Sequence, residues 1–422
     1  MSRPDDKRGG GRVLYVGARV PALSETFVTR EVLGLRSRGV AVAVASVRPP
    51  ERIQGDAALL SLADEAIGVY GPGPAAMLWD AAVEALGHPA RAARTVLRAI
   101  GDAFSVDAGS AADRAKSVLH MAAGLALARR ARPIGVTRVH AHMAHGPTTI
   151  AMYAAMELGV AFSFTGHAND LFVRARLMRA KLRRCAAVMC ISRWHEAYYE
   201  RLEPSCAPKR RMVRCGVEVP EGRARGSGGD GPRVMGLARL VPKKGFDLLV
   251  EAMARLRARG VPATATIIGD GPERERLETM IEQKGLRGVV ELAGARPNAE
   301  ALAMLDGADV FALPCRVATG GDRDGIPVSL MEAMARGICV VAGRVEPIDE
   351  LVKDGETGVL VEQGDSEALA AAIERLWRDA ALRRRLGDAG REWVRREFSI
   401  EVNLNRLIGA LDLPMHGTRA RC

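Results

Sequence analysis

Asp324 and Glu332 stand eight positions apart in DGIPVSLMEAMARG and bracket the start of a helix. Pro327 suits the first helical turn, Leu330, Met331 and Met334 form an apolar stripe, and Gly337 suits the helix end before a buried-strand run, Ile338 to Ala342. The N–H groups of a first turn lack partners inside the helix and carry the positive end of its dipole, which suits a diphosphate. A carboxylate only accepts hydrogen bonds, so one member of the pair can take sugar hydroxyls and the other the cis-diol of a ribose. A second loop supplies cations. The strand Val234 to Ala238 ends at Arg239, a helix begins near Phe246, and Lys243, Lys244 and Gly245 lie between them. Arg forks onto phosphate oxygens while Lys acts as a point charge. Further on, a strand from Thr264 to Ile268 enters Gly269-Asp270-Gly271-Pro272, a tight turn before the helix Glu273 to Lys284. Together these segments read as a sugar-nucleotide site. Singly each has an ordinary reading, because a Glu in an Ala/Met helix usually faces solvent and GDGP is a common turn.

With PALSETFVTREVLGLRSRG at Pro21 to Gly39 and VHAHMAHGPTTIAMYAAMELGVAFSFTGHANDLFV at Val139 to Val173, the chain resembles the family 4 retaining glycosyltransferases. Within them it is most similar to the bacterial exopolysaccharide, colanic-acid-type and biofilm-type enzymes. The resemblance covers nearly the whole chain and implies an α/β GT-B fold, two Rossmann-like doubly wound domains facing across a cleft. It implies that Arg239 and Lys244 bind the donor diphosphate, that Asp324 and Glu332 are the first and second acids of the E-x7-E motif, and that Gly269, Gly271, Gly325 and Ile326 join the donor contacts. His167 in SFTGHAND matches a histidine that meets the donor sugar near the reacting carbon, so His167 and Asp324 are the expected catalytic residues. The implied reaction moves a sugar from a nucleoside diphosphate donor, UDP favoured over GDP, to an acceptor hydroxyl. Front-face attack would retain the anomeric configuration, the departing phosphate oxygen taking the acceptor proton. The chain departs from the family pattern in three places. Ala238 replaces a Gly, Asp324 replaces a Glu, and Glu346-Pro347-Ile348-Asp349-Glu350 replaces Gly-Ile-Pro-Glu. These loops touch the sugar, so its identity is left open.

No cofactor and no metal are expected to be required. Asp322-Arg323-Asp324 spells a D-x-D, but its second Asp belongs to the carboxylate pair, and Arg239 and Lys244 can supply the positive charge. His140, His142 and His145 in HAHMAH have partial metal-ligand spacing, since i and i+2 on a strand share a face, but the third would lie on the following loop. The resemblance supplies a structural role for HAH. For the acceptor, Ser24-Glu25-Thr26-Phe27 offers Ser24 as an N-cap with Glu25 in the first turn, or Glu25 facing the acceptor. Asp170 either assists the acceptor or caps the next helix, the cap being favoured.

These residues need scaffolds. In the first half Val13 to Val16, Val40 to Val47, Thr137 to Ala141, Val160 to Phe164 and Ala187 to Ile191 read as buried strands, separated by helical stretches such as Thr26 to Ser37 and Thr148 to Leu158. That alternation predicts a parallel sheet, and it repeats from Val234 to Val361 before helices near Glu367 to Trp377 and Ala381 to Phe398. The expected boundaries are an acceptor domain at 1–220, a Gly-rich linker at 221–232, a nucleotide-sugar domain at 233–398, and a segment at 399–422 that by resemblance returns to the first domain.

With 422 residues and 48% hydrophobic content the chain is long enough for two cores. It has no apolar run of membrane-spanning length and no signal-peptide pattern, so a cytoplasmic location is expected, peripheral on the inner face of the plasma membrane. Seven Cys without a C-x-x-C pair suggest reduced, structural thiols. The net charge of +11 is uneven, because residues 1–225 hold 33 Lys and Arg against 20 Asp and Glu. Part of the excess lies in Arg91 to Arg138, where Val96, Leu97, Ile100 and Phe104 accompany Arg91, Arg94 and Arg98, and part in Arg174 to Arg184. Basic amphipathic helices of this kind suit an anionic membrane surface, and their ordinary alternative is a solvated face. Nucleic acid is not an expected partner, with 4% aromatic residues and no binding motif. The expected acceptor is a glycan, foremost a lipid-linked one in exopolysaccharide or cell-surface polysaccharide synthesis. A soluble natural product as acceptor, and a noncatalytic GT-B scaffold, stay open as alternatives.

Overall fold

A computed structural model describes residues 11–413 apart from 23–24, 72, 168–169, 172–175, 225 and 227. The chain divides into two compact units, the first made of residues up to Arg214 with those from Asn403 onward, the second of Cys215–Val402. In the first unit seven parallel strands, β1 (Arg12–Gly17), β2 (Val42–Ser46), β3 (Ile67–Gly68), β4 (Val136–His142), β5 (Ala161–Thr165), β6 (Ala187–Cys190) and β7 (Arg210–Met212), are ordered β3-β2-β1-β4-β5-β6-β7. Helices α1 (Thr26–Ser37), α2 (Ala57–Glu65), α3 (Pro74–Gly87), α4 (Pro89–Ala103), α5 (Ala111–Ala131), α6 (Gly146–Leu158), α7 (Met178–Arg184) and α8 (Arg193–Leu202) connect them. Covered on both faces, β1 is a near-continuous apolar run, with Val13, Leu14, Tyr15 and Val16 all buried. The order reverses between β1 and β4, and a parallel sheet opens its ligand crevice at that switch point, beyond the carboxyl ends of the strands. Register places Tyr15 opposite His140, and His140 opposite Ser163.

The second unit repeats the plan with six parallel strands, β8 (Arg233–Leu237), β9 (Thr264–Ile268), β10 (Val290–Gly294), β11 (Val310–Leu313), β12 (Cys339–Gly343) and β13 (Val359–Val361), in the order β10-β9-β8-β11-β12-β13. Its helices are α9 (Phe246–Ala258), α10 (Arg274–Gln283), α11 (Asn298–Leu305), α12 (Val328–Ala335), α13 (Ser366–Arg378) and α14 (Ala380–Glu397). The last helix, α15 (Ile400–Ala410), begins here, and its residues from Asn403 count with the first unit, where the Asn403 side chain accepts from the Arg214 N–H at 2.8 Å. The division falls at Arg214/Cys215. The stretch expected to be a linker is bonded within the second unit in its described residues. Ala224 N–H donates to the Arg336 carbonyl at 2.9 Å, and the Pro220 and Glu221 carbonyls before and at its start accept from Arg391.

Candidate functional site

In the second unit the expected donor residues gather on loops at the carboxyl ends of the strands. Arg239 follows β8, and Gly269 to Gly271 follow β9 and lie directly against the Arg239 loop. Leu240 N–H donates to the Asp270 carbonyl at 3.0 Å, and Glu273 N–H to the Leu240 carbonyl at 3.1 Å. A side chain at Gly269, where φ is +140, would strike the Ala238 carbonyl, and one at Gly271 the Leu240 carbonyl. The glycines therefore let two loops approach closely. Lys243 and Lys244 form a single turn of 3-10 helix before α9, closed by Gly245 at φ +70.

Both lysines reach across to the D-x-D segment. Lys244 Nζ lies 2.7 Å from Asp324 Oδ2, each side chain 14% exposed, while Lys243 Nζ lies 2.9 Å from Asp322 and 3.7 Å from Asp324. Burial pulls the Lys244 ammonium down, but Asp324 together with Cys315 outweighs it, and its pKa ends above the ordinary lysine value. Cys315 Sγ sits 3.4 Å from Asp324, and burial, reinforced by that carboxylate, holds its thiol far above the usual range. Arg239 is exposed and forms no ion pair or side-chain hydrogen bond among the described residues. Of the two cations expected to meet a diphosphate, one is thus free and the other already carries a carboxylate.

Glu332 corrects the ordinary reading of its helix. It is buried at 5% exposure, among Leu330, Met331, Ala333 and Met334 on α12, so this carboxylate does not lie on a solvated face. Pro327 is the N-cap of α12 rather than its first helical residue. Gly325 and Ile326 lie on the same connection, where Ile326 packs against the core. Burying a carboxylate is costly unless it is paired or hydrogen-bonded, and Glu332 is among the residues that have a partner.

In the first unit His167 ends the segment after β5, and the structure supplies neighbours that sequence reasoning missed. Glu31 on α1 accepts from Tyr15 Oη at 2.7 Å and pairs with His142 Nε2 at 3.0 Å, while His142 Nδ1 lies 3.2 Å from His167 Nε2. Phe27 packs on the His167 ring at 4.5 Å between centroids. Burial, and then His142 and His195, drive the His167 pKa well below its usual value, so it is neutral. Burial would raise Glu31, but His142, His140 and Tyr15 together lower it, so it stays ionised. A chain of contacts thus runs from Glu31 through both ring nitrogens of His142 to His167 Nε2. The signal was available as Glu31 within the quoted N-terminal motif, but nothing local to α1 joins it to β4. Among the described residues, donor atoms of Glu31, His140 and His142 come within 4.8 Å of one another. Those donors are engaged already, His140 with Ser163 at 2.9 Å and Thr165 at 3.2 Å. His145 caps the start of α6 instead of joining them.

Asp170 is 1% exposed and ties two segments together, its Oδ2 accepting from Ala144 N–H at 2.7 Å and His167 N–H at 3.0 Å. Its own N–H donates to the His167 carbonyl at 3.1 Å, so backbone and side chain both bind it to His167. Burial lifts its pKa to about 6. Lys181, also missed, is fully buried and donates to the Ala144 and Arg176 carbonyls at 2.6 and 2.7 Å. Glu25 takes the N-cap position of α1 without making a capping hydrogen bond, and its Oε2 is buried with no partner. Burial raises its pKa to about 7 against the pull of His142. Ser24 lies outside the described residues.

The basic stretches divide. Arg174 is outside the described residues, and the rest of Arg174 to Arg184 is not a free basic surface. Lys181 is buried, Arg176 pairs with Asp113 at 2.6 Å, Arg183 with Glu203 at 2.6 Å and Arg184 with Asp102 at 2.5 Å. The layer of α3, α4 and the first half of α5 differs. Apart from Val317, every large exposed apolar side chain among the described residues lies there: Leu78, Trp79 and Leu86 on α3, Leu97, Ile100 and Phe104 in or just after α4, Val118 and Leu119 on α5. Arg91, Arg94, Arg98, Arg114 and Lys116 are exposed beside them. The acids of the layer turn inward and are paired, Asp80 with Arg129 and Arg130, Glu84 with Arg132, and Asp102 with Arg184. Among the described residues no helix is long and apolar enough to cross a membrane.

Two parallel α/β units with ligand loops at their carboxyl edges constitute the GT-B fold, which solved structures of low identity share. HepE from Anabaena in complex with UDP aligns at a TM-score of 0.67 and 15% identity, covering 95% of this chain and 99% of that one. A sucrose-phosphate synthase from Thermosynechococcus elongatus aligns at 0.68 and 20% identity, covering 94% and 97%. Residues 223–393, all in the second unit, match the family model described as Glycosyl transferases group 1. A putative colanic acid biosynthesis glycosyltransferase of Salmonella typhimurium is 40% identical over 210 residues, 49% of this chain and 52% of the relative. A GDP-mannose-dependent phosphatidylinositol monomannoside mannosyltransferase of Mycolicibacterium smegmatis is 42% identical over 168 residues, 39% of this chain and 44% of that protein. The chain thus spans about half the length of the curated relatives it matches.

Proposed function

We propose that the chain is a retaining glycosyltransferase that moves a sugar from a nucleoside diphosphate sugar, UDP rather than GDP, to an acceptor hydroxyl of a lipid-linked glycan in exopolysaccharide or cell-surface polysaccharide synthesis. The observation that carries the reading is the Lys244–Asp324 pair, formed between the loops that follow β8 and β11, with the unpaired Arg239 on the first of those loops and the buried Glu332 on α12 after the second. The diphosphate charge that grows as the bond to the sugar breaks meets Arg239 directly, while Lys244 shares its charge between phosphate and Asp324. Charges fixed in advance stabilise the developing anion without reorganisation. Asp324 is held so that its remaining lone pairs face sugar hydroxyls, Glu332 takes the ribose diol, and Gly269, Gly271, Gly325 and Ile326 shape the donor loops. His167 is the first unit's candidate contact for the transferred sugar, by its match to the family histidine. No metal is needed, since lysines already occupy the D-x-D carboxylates. A thermal-shift series with UDP-, GDP- and ADP-sugars tests the donor, because a ligand at 100 times its dissociation constant adds about 2.7 kcal/mol. No shift with any of them refutes it.

The acceptor's lipid is supported by the α3–α5 layer, which joins exposed apolar groups to exposed cations and turns its acids inward. Such a face fits the anionic leaflet of a membrane, which for a lipid-linked acceptor is the cytoplasmic one, each nearby basic residue adding about 1 kcal/mol. Full-length protein is expected to sediment with anionic vesicles and not with zwitterionic ones, and to lose binding when Arg91, Arg94 and Arg98 become Glu. Equal behaviour with both vesicle types points instead to a soluble acceptor.

A further inference from the structure

The first unit contains a cavity of about 470 Å³ whose cationic wall takes no part in the donor reading above. It lies beyond the carboxyl ends of β1, β2 and β4, where Ala18, Val47 and His145 border it, and against the first turns of α5 and α6. Two other hollows of about 500 Å³ lie at the amino ends of strands, one lined by Arg12 and Val42, the other by Arg233 and Thr264. Parallel sheets bind ligands at the carboxyl end, so position singles out the first cavity.

Its wall is cationic. Arg48, Lys116 and Arg176 line it, with His120 and His145, against the acids Glu25 and Asp113. Asp113 is neutralised, 2.6 Å from Arg176, 4.0 Å from Lys116 and bonded to the Ser110 N–H. Arg48 is exposed and makes no ion pair or side-chain hydrogen bond among the described residues. Glu25 brings a carboxyl oxygen with no partner. The surroundings are positive enough to act on His120, whose pKa falls to about 4, through burial first and then through Lys181, Arg176 and Lys116. The cavity reaches toward the site already described through His145, which lies 3.5 Å from Asp170.

We infer that this cavity is a subsite for a phosphate-type oxyanion carried by the acceptor, gripped by Arg48, Lys116 and Arg176. Arg48 and Lys116, with Arg176 shared with Asp113, supply charge that matches a phosphate, and Arg suits its oxygens geometrically. The inference rests on the reading that this unit takes the acceptor. It supplies the substrate class, a phosphorylated acceptor, the phosphate coming from a lipid carrier or from a soluble phosphorylated sugar. The exposed Val118 and Leu119 on α5, next in sequence to Lys116 and Ser117 of the wall, would lie against the apolar tail of a lipid carrier.

Isothermal titration of full-length protein carrying Arg239→Ala, which weakens the diphosphate site of the second unit, measures binding of geranyl diphosphate, glucose 1-phosphate and glucose. Either or both phosphates are expected to bind, glucose is not, and adding R48Q/K116Q is expected to weaken the phosphates at least tenfold. Tighter binding of geranyl diphosphate assigns the group to a lipid carrier, and tighter binding of glucose 1-phosphate to a soluble acceptor. UDP affinity in protein with Arg239 intact is expected to be unchanged by R48Q/K116Q, which also reports that the variant is folded. Phosphates that do not bind, or that bind R48Q/K116Q as well as the parent while UDP binding persists, overturn the inference. If UDP fails to bind the wild type but R48Q/K116Q still abolishes phosphate binding, the donor reading falls and the cavity assignment stands.

Discussion

Replacing Arg239 and Lys244 by Ala, one at a time, is expected to separate two effects that the sequence alone would merge. Arg239 is exposed and unpaired, so its removal should change stability by no more than about 0.5 kcal/mol, the range for surface substitutions. Its loss from the diphosphate should cost about 3 to 4 kcal/mol at the transition state, or roughly two to three orders of magnitude in turnover. Lys244 contacts Asp324 at 2.7 Å with both side chains 14% exposed, so Lys244→Ala leaves a carboxylate poorly solvated. Breaking one side of a buried pair costs about 3 to 5 kcal/mol. Lys243, 3.7 Å from Asp324, can take up part of that charge, which places the loss near the lower end, about 3 kcal/mol. At about 2 to 4 °C per kcal/mol the second unit should melt roughly 6 to 12 °C lower. Adding Asp324→Asn removes the stranded charge, so the double variant should recover much of that stability while remaining inactive. Calorimetric melting alongside release of UDP from the donor measures both quantities. An Arg239→Ala protein with near-normal turnover refutes the diphosphate assignment. A Lys244→Ala protein as stable as wild type refutes the electrostatic account of the pair.

Glu31→Gln breaks the chain that fixes His167 and should lower kcat about tenfold or more with little change in donor KM, general acid–base and orienting groups contributing on that scale. An altered ring-nitrogen NMR signature of His167 should accompany the loss, and an unchanged signature with unchanged kcat refutes the positioning role. Glu25 has a folded pKa of about 7, above its unfolded value, so its contribution to stability is complete below the unfolded value and is lost as pH rises through about 7. Glu25→Gln should flatten the fall in melting temperature between pH 5 and 8, and an identical fall in both proteins contradicts this. Transfer should persist in EDTA, whereas activity abolished by chelation and restored by magnesium or manganese would require rereading the D-x-D segment.

Much of the framework is written in local chemistry. Strand-helix alternation, the apolar runs of β1, β8 and β12, and the span of α1 follow from periods of two and 3.6 residues and from turn residues, which act over a few positions. Short strands were not legible that way, since β3 holds two residues and β7 three, too few to show a period. The types and spacing of Asp324, Glu332, Arg239 and Lys244 were also legible, because charged groups on a strand-to-helix loop have few local reasons to recur. Only the tertiary structure decided which of them are paired. Lys244 and Asp324 are distant in sequence and meet because β8 and β11 are neighbours, and Glu332 is buried because α12 packs against the sheet, which no spacing within α12 reveals. The same reason governs Glu31, whose bond to His142 depends on α1 lying over β4, and the basic run at Arg174 to Arg184, which looked like a surface until acids far along the chain paired with it. Charge is a property of the residue, but exposure and partnership belong to the fold.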